Sequence, residues 1–111
     1  MKEKIDLFIE LSLQQCKKDD YGNPESVRIH NKAVGKLSVL KTQINITESK
    51  EEFKTLLLHN DSRVKINAAE FCLEQQILID NARNSLQEVL DTETDSTLIF
   101  SAKQLLKQNI N

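Results

Sequence analysis

FKTLLLHNDSRVKINAAEFCL, residues 53–73, decides the fold. Phe53, Leu56 and Leu57 share one helical face; His59, Asn60 and Asp61 break the pattern, and Val64, Ala68, Phe71 and Cys72 resume it at the i, i+4, i+7, i+8 positions of a buried stripe. Asp61, at the head of the second run, is a side chain suited to capping the first free N–H groups of a helix. The stretch therefore reads as two helices joined by a tight turn, a helical hairpin. The pattern then recurs. Asp61, Val64, Ala68, Phe71 and Cys72, moved forward by 34 positions, reach Asp95, Leu98, Ala102, Leu105 and Leu106; Phe53, Leu56 and Leu57, moved by 33, reach Leu86, Val89 and Leu90. A helix-turn-helix unit cannot cover its own apolar face, and its recurrence at such a period is the signature of an α-solenoid, in which neighbours cover one another.

Outward from this stretch, the loop 45–48 leads into Ser49-Lys50-Glu51-Glu52, which has the spacing of a capping box. At the N-terminus, Ile5, Phe8, Ile9, Leu13 and Cys16, widened by Leu7 and Leu11, predict a helix from about Lys2 to Lys18. Turn residues follow, with Asn23 as N-cap and Pro24 at the first helical position. The next helix carries Val27, Ala33, Val34, Leu37 and Leu40 toward Ile44, with Gly35 expected at a close helix crossing. On the other side, Ala82, Leu86, Val89 and Leu90 define a fifth helix; after Thr94, Asp95 and Ser96, a sixth carries Leu98, Ile99, Ala102, Leu105 and Leu106. The fold class is thus all-α: six helices in three hairpins, one domain over 1–111, with 1–44 as an N-terminal capping hairpin and 49–75 and 80–108 as the repeat hairpins. The expected core is Leu57, Val64, Ala68, Phe71, Leu86, Leu90, Ala102 and Leu105.

Residues 53–73 resemble a HEAT repeat in their apolar first helix, the turn aspartate Asp61, the pair Val64-Lys65 and the Ala-rich second helix. STLIFSAKQLLK (96–107) resembles the following unit, departing from it at Ile99, where a base would follow the valine position. The whole chain is similar in length and layout to short bacterial HEAT-like domains of unknown function. The resemblance implies a HEAT/armadillo-like, right-handed stack that serves as a scaffold, with no catalytic residues to carry over; Lys65 in such stacks often pairs with an acid of a neighbouring turn.

Composition narrows the class further. Of 111 residues 39% are hydrophobic and 29% charged, too apolar for a disordered acidic chain and too polar for a membrane protein. No apolar run approaches the ~20 residues of a membrane span and no signal-peptide core follows Met1, so a cytoplasmic protein is expected. With only Gly22, Gly35 and Pro24 to punctuate the chain, strand-rich folds are disfavoured. Net charge is -2, with the bases gathered between 23 and 65 and the acids beyond 66. Cys16 and Cys72 are far apart and each sits in an apolar stripe, so a disulfide is not expected.

The residues that could carry chemistry are few. His30 and His59 lack a second His or Cys at helical ligand spacing, and His59 suits the negative end of a helix dipole. Asp91, Glu93 and Asp95 alternate as an EF-hand loop begins, but Ser96 and Ala102 stand where that loop needs glycine and a bidentate glutamate. There is no phosphate loop and no nucleophile elbow. No enzyme activity, cofactor or metal is expected. Arg28, Lys32 and Lys36 form a basic stripe along one helix that Arg63 and Lys65 would extend, which is the argument for a nucleic-acid-associated protein; the absence of interleaved aromatics argues against it. Phe100 lies about 160° from the centre of its helix's apolar stripe, and Ile66 occupies the same place one repeat earlier. Second helices of a solenoid also contact adjacent repeats, so a second buried face is the commoner explanation for such a pair; the functional one is an apolar partner surface formed with Lys103 and Lys107. The function expected is a protein-interaction module, an adaptor or an inhibitor of another protein, with an unidentified protein partner or a second copy of itself; an immunity or antitoxin protein is a special case.

Overall fold

A computed structural model describes residues 2–15 and 24–108. Among them the chain is helical with no strand: α1 (Lys2–Gln15), α2 (Pro24–Gln43), α3 (Lys50–Leu56), α4 (Ser62–Glu74), α5 (Ile79–Thr92) and α6 (Ser96–Gln108). The expected extension of the first helix to Lys18, the Asn23 cap and Cys16 lie outside the described residues. The helices fall into two compact units, Met1–Asn45 and Ile46–Asn111.

In the first unit α1 packs on α2. Ile5, Phe8 and Leu11 are buried on α1, Ala33, Leu37 and Leu40 on α2, and Ile44 just after it. Ser12 is buried with them, its hydroxyl satisfied by donating to the Phe8 carbonyl at 2.8 Å. A side chain of each helix bonds to a backbone carbonyl of the other. His30 on α2 donates from Nδ1 to the Gln15 carbonyl at 2.9 Å, and Lys4 on α1 donates to the Gln43 carbonyl at 3.0 Å. Gln43 is the last residue of α2, where a lysine suits the negative end of the helix dipole. The buried face is narrower than the spacing predicts. Leu7, Leu13, Val27 and Val34 are exposed, because two helices cover only one side of each other and residues at the edge of a broad stripe stay in solvent. Gly35 is not at a crossing: a Cβ added there would meet nothing within 4 Å.

In the second unit α4 packs against α3, α5 and α6. Phe53 of α3 and Phe71 of α4 meet edge to face, centroids 5.5 Å apart at 61°. The Asp61 carboxylate accepts from the backbone of Arg63 (2.8 Å) and Val64 (3.2 Å), so α4 begins where the capping signal places it. Asp95 accepts in the same way from Thr97 N at 2.8 Å one repeat on. Ser49 does not form a capping box; its hydroxyl is buried and without a partner among the described residues. The buried Ser85 of α5 donates to the Leu57 carbonyl at 2.8 Å, satisfying the open end of α3. Of the expected core, Leu57, Val64, Ala68, Phe71, Leu86 and Ala102 are buried. Leu90 of α5 and Leu105 of α6 are only half-buried.

The α4–α5 connection has no glycine, yet two of its residues take positive φ: Gln76 (56°) and Leu78 (51°). Ile77 N–H donates to the Cys72 carbonyl at 2.9 Å and Gln76 N–H to that of Leu73 at 3.2 Å. This is the Schellman pair of bonds, with Gln76 in the left-handed position that glycine fills most easily. Gln76→Gly should therefore raise the unfolding free energy, by about 0.5–1 kcal/mol less the extra entropy of a glycine in the unfolded chain; chemical denaturation reads the sign. Phe71→Ala, which empties a site 2% exposed in the centre of the unit, should cost about 3–5 kcal/mol. An unchanged denaturation midpoint would contradict the central position of α4.

Candidate interaction surface

The polar groups that sequence spacing singled out are mostly engaged in building turns. His59 Nδ1 accepts from Asp61 N–H at 3.0 Å and so shapes the α3–α4 turn. Ser62 donates to Glu93 Oε2 at 2.6 Å, and Glu93 Oε1 accepts from Thr94 N at 3.0 Å and Asp95 N at 3.1 Å. The alternating acids Asp91, Glu93 and Asp95 are thus divided among a helix end, a bond between turns and a cap. Among the described residues no group of three His, Cys, Asp or Glu side chains could hold a metal ion. Cys72 is buried and free, and burial pushes its thiol up to about 12, which keeps it protonated and unreactive in the folded chain.

The basic stripe is broken by burial. Arg28 (paired to Glu25 at 3.5 Å), Lys32 and Lys36 are exposed on α2. Arg63 and Lys65 are buried instead, so neither extends the stripe at the surface. Lys65 forms an ion pair with Glu88 of α5, and the Arg63 Nε is buried without a partner among the described residues. Sequence reasoning missed Glu88; its place opposite Lys65 depends on how α5 packs, which spacing within one helix does not encode.

Ile66 and Phe100, placed together by the repeat, have opposite environments. Ile66 is 2% exposed and Phe100 61%, so Ile66 belongs to the core and not to a partner surface. The reason lies in what covers each helix. On α4 the sector holding Lys65, Ile66, Ala69 and Leu73 is buried, and the Lys65–Glu88 pair places α5 against it. The equivalent sector of α6 holds Ile99, Phe100, Lys103 and Lys107; Ile99 is half-buried and the other three are exposed. Lysines stand where α4 has Ala69 and Leu73, leaving Phe100 as a solvated aromatic with two bases one and two turns along. In the first unit a groove of about 550 Å³ runs between α1 and α2, its apolar surface formed by Leu7, Leu11, Val39 and Leu40 with Lys32 and Lys36 on the α2 side.

Among the described residues these features give an all-helical protein with an exposed apolar-and-basic side on α6 and an exposed apolar groove between α1 and α2. No helix is long and apolar enough to cross a membrane among the described residues. No protein-family model, no curated protein and no solved structure matches the chain.

The Ser62 hydroxyl holds the Glu93 carboxyl below its usual range, aided by the backbone N–H groups of Asp95 and Thr94. A depressed carboxyl contributes stability that is fully present above its unfolded pKa and lost as pH falls through the folded value. Glu93→Gln should lower the melting temperature at neutral pH, and its difference from the parent should shrink on acidification below the ordinary glutamate range. A difference constant with pH would show that the charge on Glu93 contributes nothing.

Proposed function

We propose that the chain is a protein-interaction module, an adaptor or an inhibitor of another protein, built as a HEAT-like stack of helical hairpins, with the uncovered side of α6 as its partner surface. The observation that carries this reading is the contrast between Phe100, 61% exposed, and Ile66, 2% exposed at the same repeat position. An exposed aromatic ringed by polar residues has the composition of an interface anchor, whose truncation typically costs about 2 kcal/mol or more of binding. Burial of Arg63 and Lys65 removes much of the case for a nucleic-acid surface, since phosphate contacts need solvated bases.

Phe100→Ala should weaken capture of partner protein from native lysate at least about tenfold while leaving the melting temperature within a degree or two, the behaviour of a solvated anchor. A loss of several kcal/mol of unfolding free energy with unchanged capture would place Phe100 in the core and end this reading.

A further inference from the structure

The reading of α6 as a partner surface leaves its occupant open, and the inference here rests on that reading. We propose that the occupant is the acidic outer side of α1 from a second copy of the chain, with Phe100 seated in that copy's α1–α2 groove.

The two surfaces are opposite in charge and alike in layout. On α6, Lys103 and Lys107 are exposed, have no ion-pair partner among the described residues, and follow Phe100 on the same sector. On α1, Glu3, Asp6 and Glu10 are exposed, and Glu3 and Asp6 have no partner among the described residues. Lys4, a base of the same helix, is engaged at the Gln43 carbonyl. Leu7, 41% exposed, lies between Glu3 and Glu10 and forms one wall of the α1–α2 groove. An aromatic ring entering that groove removes Leu7 and Val39 from water along with itself. Lys32 and Lys36 line the α2 side, so like-charge repulsion turns Lys103 and Lys107 toward the α1 acids and sets the orientation. The chain already uses this chemistry between helices, where Lys65 of α4 meets Glu88 of α5. Since each copy carries both surfaces, the contact is heterologous and every copy offers one of each.

Sedimentation velocity across a concentration series decides the matter. The parent chain should self-associate, less so at high salt because the pairs are solvent-exposed. Lys103→Glu with Lys107→Glu, and separately Glu3→Lys with Glu10→Lys, should each weaken self-association about tenfold or more, since like charges then face each other. An equimolar mixture of the two variants should restore it, because each supplies the charge the other now requires. Circular dichroism melts confirm that both variants fold. A parent chain that is monomeric throughout, charge reversals without effect, or a mixture that fails to associate each overturns the proposal. A monomeric parent whose Phe100→Ala variant still loses lysate partner capture would reject the second copy as occupant while sustaining the α6 surface.

Discussion

Burial of α4 on nearly every side is the constraint on which the unit 46–111 depends. A helix in a two-layer arrangement usually presents one stripe to its neighbours and keeps the rest in water. Here Arg63 through Ala69 and Phe71 through Leu73 are all buried, beneath α3, α5 and α6. Such a helix can tolerate polar residues only where neighbours answer them. Lys65 is answered by Glu88, and the Asp61 carboxylate answers the first N–H groups. The buried Arg63 Nε is not answered by any described residue, an unmade bond that detracts from stability. The unit is held by apolar contact around α4, with polar bonds specifying where each neighbouring turn must lie.

Among the described residues the turns and helix ends are bonded without glycine. In the first unit His30 of α2 bonds the Gln15 carbonyl of α1, and Lys4 of α1 bonds the Gln43 carbonyl at the end of α2. In the second, Ser85 reaches from α5 to the last turn of α3, and Ser62 joins the α3–α4 turn to the α5–α6 turn through Glu93. The α4–α5 connection instead accepts left-handed backbone at Gln76 and Leu78. This conformation crowds a Cβ and is sparsely populated outside glycine.

Much of this was legible in residue spacing. The six helices follow from apolar periodicity, and Asp61 and Asp95, which the 34-residue shift relates, each accept a backbone N–H bond at the head of the helix that follows. Spacing fixes the angle of a side chain about its own helix but says nothing of which neighbour arrives there. That is why Leu7, Leu13 and Val34 lie on apolar stripes and are exposed, why an acid is expected beside Lys65 while its identity as Glu88 is not legible, and why spacing alone does not separate the buried Ile66 from the exposed Phe100. Gly35 misled for a related reason: glycine permits a close approach without requiring one, and nothing approaches it. The left-handed Gln76 carried no signal, because the residue type that normally announces that geometry is missing. Phe100 was the legible part of the candidate surface, since an aromatic opposite its own helix's stripe needs either a second neighbour or solvent.

The dependence of α4 on α5 and α6 bears on the order in which the chain can fold as it is made. Two of the three helices that enclose α4 lie after it in sequence. While synthesis has passed Glu74 but not yet completed α5, Ile66, Ala69 and Leu73 lack the cover that α5 gives them in the folded unit. During that interval the nascent segment presents a helix destined for burial to the ribosome surface and to chaperones, and tight packing of this unit must wait until its last helix has emerged.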